Sequence, residues 1–157
     1  MTSLRERIMN GLKDAMRNKQ ERETATIRMI IAKMRERDIE ARPGGNKDGI
    51  GEAEILSMLE GMIKQRHESI VLYEKGNRAD LAKQESEEIA VIEGFMPQKL
   101  SAAEVESIIA KTVAAVGAKD IKDMGKVMGA LKSQYAGQMD FAQAGALVKA
   151  RLSGAAA

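Results

Sequence analysis

Apolar residues recur every three or four positions along almost the whole chain, the spacing that keeps them on one side of a helix. The first such stripe is Leu4, Ile8, Leu12 and Ala15, opened by Ser3 and Glu6, a hydroxyl and a carboxylate spaced to cap each other's backbone donors. A break is expected near Lys19 and Gln20. A second helix then runs from about Glu21 to Arg42 on Ile27, Ile30, Ile31 and Met34, and stops at Pro43-Gly44-Gly45-Asn46. The third spans about Glu52 to Lys75, with Ile55, Leu59, Met62, Ile63, Ile70 and Tyr73 on one face and Gly76 as its stop. Asn77 is placed to cap a fourth, which carries Leu81, Ile89 and Ile92 to about Gly94.

Pro97 disfavours helix at Met96, so a boundary falls there. Beyond it, Ser101 and Glu104 repeat the capping pair ahead of Val105, Ile108, Ile109, Thr112 and Val116, with Gly117 as the stop. Asp123 is expected to start a sixth helix that ends near Gly137. Asp140 and Gln143 open a seventh, with Phe141, Ala144, Gly145, Val148 and Leu152 inward. The tail Ser153 to Ala157 is expected to fray. The pattern predicts an all-α protein, with a four-helix part over residues 1–96 and a three-helix part over 97–157.

Composition agrees with helices, because aromatic residues make up 3% of the chain and strand-favouring side chains are sparse. There is no cysteine, which removes disulfides, thiolate metal sites and a thiol nucleophile. No apolar run reaches the about 18 residues of a membrane span. The N-terminus lacks a secretory h-region, and its acidic Glu6 and Asp14 do not suit an organelle presequence, so a cytoplasmic location is expected.

The net charge of +2 hides an uneven distribution. Residues 1–42 hold 11 basic and 7 acidic side chains, residues 43–97 hold 6 and 11, and residues 98–157 hold 8 and 5. The basic C-terminal part therefore has little acid of its own to neutralise it.

Catalytic constellations are missing. The single histidine, His67, sits mid-helix with Lys64 where a di-iron site would need glutamate. No G-x-S-x-G nucleophile elbow occurs. Gly125-Lys126 does not complete a phosphate loop. Neither a catalytic residue, a metal site nor a cofactor is predicted. The acidic group Glu85, Glu87, Glu88 and Glu93 reads as structural: Arg66 lies on the apolar stripe of the third helix and Glu85 beside that of the fourth, so an interior Arg66 to Glu85 pair is expected, with Glu88 able to join.

The segment DMGKVMGALKSQYAGQMD, Asp123 to Asp140, is the most unusual. Met124, Val127, Met128, Leu131 and Tyr135 form an apolar stripe, and Gly125, Gly129 and Ala136 form an adjacent flank almost without side chains. Lys122, Lys126 and Lys132 frame that flank, and Lys149 and Arg151 on the last helix can extend it. Two readings stand side by side. Each mid-helix glycine costs about 1 kcal/mol relative to alanine, and close packing of another helix would compensate. Alternatively a phosphate backbone approaches the bare flank, neutralised by lysines and bonded by the amides of Gly125 and Lys126. Asp123 fits the second reading poorly, since its carboxylate would compete for those amides.

DMGKVMGALKSQYAGQMD, IAVIEGFMPQKLS upstream and the helical layout together resemble the GatB/YqeY family over residues 3 to 152. The resemblance implies an all-helical protein whose C-terminal part is similar to the tail of the B subunit of aspartyl/glutamyl-tRNA amidotransferase. In that setting the tail grips the outer corner of tRNA while amidation occurs in other domains. It implies tRNA as a partner, with an aminoacyl-tRNA synthetase or an amidotransferase as associated enzyme. Two other classes remain open: a protein-protein adaptor using the same glycine and lysine face, and an accessory component of a carbon-nitrogen ligase with glutamine as amido-N-donor.

Overall fold

Helix α1, Leu4–Arg17, begins where Ser3 Oγ accepts the Glu6 amide at 3.2 Å and Glu6 Oε2 accepts the Ser3 amide at 3.0 Å. The computed structural model describes residues 2–154. Ala155 to Ala157, the end of the tail expected to fray, lie outside them. Leu4, Ile8 and Ala15 are buried along α1, and Lys19, in the left-handed region at φ 56°, turns the chain into α2, Glu21–Ala41. There Thr26, Ile27, Ile30, Ile31 and Met34 point inward. The chain then tightens into a 3-10 turn at Arg42–Gly44 that contains Pro43.

The loop that follows is clasped from two sides. Asp38 on α2 accepts both Arg5 guanidinium nitrogens, at 2.9 and 2.8 Å, and the Ile50 amide at 2.9 Å. Arg5 Nη2 also donates to the Ile50 carbonyl at 3.2 Å. Gly49 is needed twice over: its φ is 97°, and a Cβ there would sit 2.9 Å from both Arg5 Nη2 and Asp38 Oδ1. With these bonds the loop seats Ile50 in the core.

The Arg5 hydrogen bonds, helped by the Ile50 amide and opposed by burial, hold the Asp38 carboxyl below its ordinary 3.8. A depressed carboxyl contributes stability that is complete above the unfolded value and is lost as pH falls through the folded one. Asp38→Asn is expected to cost about 1–2 kcal/mol at neutral pH, with the gap to the parent closing below pH 3.8. Urea midpoints of the two proteins across the acid range test this. A gap independent of pH would show that the clasp does not depend on the charge.

Helix α3, Glu52–Lys75, buries Ile55, Leu56, Met58, Leu59, Met62 and Arg66, whereas Ile63, Ile70 and Tyr73 are half-buried. Asn77 does not cap the next helix, contrary to expectation. It takes φ 57° and ends α3, so that α4, Ala79–Glu93, starts at Arg78 without a side-chain cap. Ala82, Glu88, Ile89 and Ile92 face inward from α4.

The interior pair is Arg66 with Glu88, not with Glu85. Arg66 Nε donates to Glu88 Oε2 at 3.0 Å, Nη1 to the Met62 carbonyl at 3.2 Å and Nη2 to Met29 Sδ at 3.8 Å. Gln84 satisfies the other Glu88 oxygen at 3.3 Å. Glu85 sits one turn earlier on α4 and half-buried. Its carboxyl is pushed up by burial and by the Glu88 charge, and only partly offset by Arg66.

The chain divides into two compact units, Met1–Met96 and Pro97–Ala157. The second begins with α5, Ala102–Ala115, where the Ser101 and Glu104 capping pair is formed. A 3-10 turn, Ile121–Asp123, leads into α6, Met124–Gln134, and α7 covers Phe141–Leu152. Ile109, Val127, Leu131, Met139, Ala144 and Val148 form its core. The Leu100 amide donates to the Gln138 carbonyl at 2.8 Å, tying the start of the unit to the α6–α7 turn. Among the described residues there are seven α-helices, two 3-10 turns and no strand.

Candidate nucleic-acid interface

Helix α6 presents three distinct sides. Val127 and Leu131 are fully buried, while Met124 and Met128 are half-buried and reach over Gly145 of α7, where a Cβ would lie 3.8 Å from each terminal methyl. Beyond those methionines, on a net of about 100° per residue, come Lys132, Gly125 and Gly129, and then Lys126, while Lys122 stands in the 3-10 turn just before the helix. All five are exposed. A Cβ built on Gly125 or Gly129 would meet nothing within 4 Å. The glycine flank is therefore open, and none of the described residues packs against it.

The flank is shorter than expected. Helix α6 ends at Gln134, with Tyr135 in the C-cap position, so Ala136 lies in the following turn and not on the helix face. Gly137, with φ 77°, belongs to that turn.

Asp123 holds the N-cap position of α6, as expected, but its side chain caps no α6 amide. Asp120 caps the preceding 3-10 turn by accepting the Lys122 amide at 2.8 Å. Asp123 reaches back to accept the Lys119 amide at 2.9 Å and the Asp120 amide at 3.4 Å. Those two amides, with Lys126 and Lys119 nearby, hold its carboxyl below the ordinary 3.8. The Lys119, Asp120 and Lys122 amides ahead of α6 are thus bonded by the chain's own carboxylates, and the Gly125 and Lys126 amides are not among them. What the face offers an anion is lysine side chains and bare backbone.

The last helix divides its two cations. Gly145 marks the side of α7 turned to α6, and Lys149, one turn on, lies about 40° from it, whereas Arg151 lies about 120° away in the other sense. The 3-10 turn carrying Lys122 also touches α7. Lys149 therefore adjoins the α6 face, and Arg151 points away from it. Lys122, Lys126, Lys132, Lys149 and Arg151 are exposed and enter no salt bridge among the described residues. Free cations beside open glycines form a surface where a polyanion meets charge without a bulky side chain in between.

The profile of Yqey-like proteins matches residues 5–152, nearly the whole chain. The chain belongs to the YqeY-like family. It is 33% identical over 99 residues to the altered inheritance of mitochondria protein 41, mitochondrial, of Lachancea thermotolerans, a match covering 63% of this chain and 51% of that protein. It is 27% identical over 94 residues to an uncharacterized protein of Schizosaccharomyces pombe, covering 60% of this chain and 72% of that one. The match thus spans about half the length of the Lachancea relative.

In this YqeY-like protein the structure adds Lys119 to the cations at the α6 entrance. It is exposed, and its charge acts on Asp123. Sequence reasoning passed over it because it precedes the glycine motif and looks like a loop residue. Among the described residues no helix is long and apolar enough to cross a membrane, and no cluster of histidine, aspartate or glutamate could hold a metal ion.

Proposed function

We propose that this YqeY-like protein is a non-catalytic tRNA-binding module, with a four-helix N-terminal part and a three-helix C-terminal part like the tail of a tRNA-dependent amidotransferase. It would assist transamidation or aminoacylation in the cytoplasm, beside an amidotransferase or an aminoacyl-tRNA synthetase. One observation carries the reading: Gly125 and Gly129 have nothing packed on them, while unpaired lysines stand around them. With no neighbouring helix inside the unit to repay the two glycines, an external partner that needs close approach to the backbone is favoured. Lys122, Lys126, Lys132 and Lys149 supply the charge. Tyr135 is half-buried and gives no stacking platform, so shape and phosphates of folded RNA would be read, not bases.

Two substitutions separate binding from folding. Gly129→Ala is expected to raise the stability of the C-terminal unit by about 1 kcal/mol and at the same time to weaken tRNA binding, because the added methyl stands on the approach. Lys126→Glu should lower affinity and reduce the slope of log affinity against log salt by about 1, with helix content unchanged. Filter binding over a salt series, with circular dichroism as control, measures both. The reading fails if both variants bind tRNA as the parent does.

The open flank also favours a second reading, an adaptor that receives a helix of a partner protein at Gly125 and Gly129. Its affinity would depend far less on salt, which the same series would show.

A further inference from the structure

The N-terminal unit has a cleft of about 570 Å³ between the end of α1, the start of α2 and the end of α4, within the size range of ligand sites. Its inner wall is apolar. Ala15 and Ile27 are buried there and Val91 and Phe95 half-buried. Gly11 is what lets the aromatic wall form, because a Cβ on it would sit 2.9 Å from Phe95 Cζ and 3.0 Å from Cε1.

The rim has the opposite character to the α6 face. Asp14, Glu23 and Glu87 line it against a single cation, Arg22. Arg22 is already engaged, with Nε 3.2 Å from Glu87 Oε2. Asp14 has only Arg17, at 3.8 Å and with both side chains largely exposed, a pair worth little in water. Glu23, half-buried, enters no salt bridge among the described residues. Glu87 also has Lys83 at 3.9 Å, so Glu23 is the rim carboxylate left for a cation from outside, next to an apolar floor. That combination suits a partner that is both cationic and apolar.

We propose that this cleft receives a cationic amphipathic peptide segment of a partner protein, its apolar side chains against Ile27 and Phe95 and its lysines or arginines against Glu23 and Asp14. The rim carboxylates come from three different helices and stand around an open mouth, which matches cations spaced along a backbone better than one compact small molecule. The cleft and the α6 face would then take ligands of opposite charge. Neither site depends on the other.

The test uses the full chain, labelled for NMR, and two short amphipathic probe peptides of equal length, one of lysine and leucine and one of glutamate and leucine. The lysine peptide is expected to give saturable shifts centred on Gly11, Ala15, Val91 and Phe95, and the glutamate peptide none. Glu23→Lys should weaken the lysine peptide at least about fivefold, while Glu21→Lys, an exposed change outside the cleft, should leave it within about twofold. Circular dichroism confirms that both variants are folded. Shifts centred elsewhere, equal binding of the two peptides, or equal effects of the two substitutions would overturn the proposal. So would spermidine producing the same shifts at the same concentration, which would make the cleft a polyamine site.

Discussion

Glu88→Leu is expected to destabilise the N-terminal unit by about 3–5 kcal/mol, more than any loss of a surface pair. The reason is what stays behind. Arg66 has a side chain only 7% exposed, and without Glu88 its guanidinium would keep just the Met62 carbonyl and the Met29 sulfur as partners. A buried charge cannot shed its proton when that charge is a guanidinium. The double change Arg66→Met with Glu88→Leu removes the charge as well as its partner, and should lie within about 1–2 kcal/mol of the parent or above it. Urea unfolding of the parent, both single variants and the double completes the cycle. If the two single losses simply add in the double, the pair is not a coupled buried unit. Glu85 supplies an independent readout. Burial comes first and the neighbouring Glu88 charge second in pushing its carboxyl up, while Arg66 pulls it down. In Glu88→Gln the repulsion disappears and the attraction stays, so the Glu85 carboxyl should titrate at lower pH than in the parent, which carbon-detected NMR would follow.

That pair marks the limit of what the sequence discloses. A helical net places Arg66, Glu85 and Glu88 near one another, but α4 carries both glutamates within a single turn, and small rotations of the helix decide which one enters the core. Burial of Glu88 beside Ile89 and Ile92 decided it here. Helix starts were legible wherever a reciprocal cap is local, as at Ser3 and Ser101. The start of α4 was misplaced because Asn77 serves as a left-handed turn, whereas α6 does begin after Asp123, although the Asp123 carboxylate accepts from the preceding loop and not from α6. Asp123 also looked like the residue least suited to an anion site, because it would occupy the Gly125 and Lys126 amides; its carboxylate instead binds the Lys119 and Asp120 amides and leaves those two alone. The Arg5, Asp38 and Ile50 clasp joins residues far apart in sequence, so no local pattern reports it. Exposed glycines on α6 could be recognised as a flank, but only the fold tells that the flank is unoccupied. The α1–α2–α4 cleft was invisible for a similar reason, since it arises from how three helix ends splay around Phe95.

Leu131→Ala should unfold the C-terminal unit and abolish tRNA binding while the N-terminal unit keeps its native spectrum. Leu131 is fully buried, at the centre of a core shared with Ile109, Val127 and Val148. Truncating a buried leucine costs about 2–5 kcal/mol, and a core in a unit as short as Pro97–Ala157 supplies only about 3–5 kcal/mol in all. The substitution therefore takes most or all of that stability. In an amide NMR spectrum, resonances of residues 97–154 should collapse to unfolded positions while those of Ile30, Ile55 and Ile92 stay dispersed. No charge changes in this variant. If tRNA affinity falls to the level of an unfolded chain, the arrangement of lysines around the open glycines carries the binding; if affinity persists although the unit has melted, net positive charge alone explains it and the α6 face has no specific role. Dispersed C-terminal resonances would instead mean that the unit holds more stability than the truncation removes. Set against Gly129→Ala, which should strengthen the fold while weakening binding, Leu131→Ala isolates the contribution of the folded face: one variant alters the contact on an intact scaffold, and the other keeps every contacting side chain and removes the scaffold.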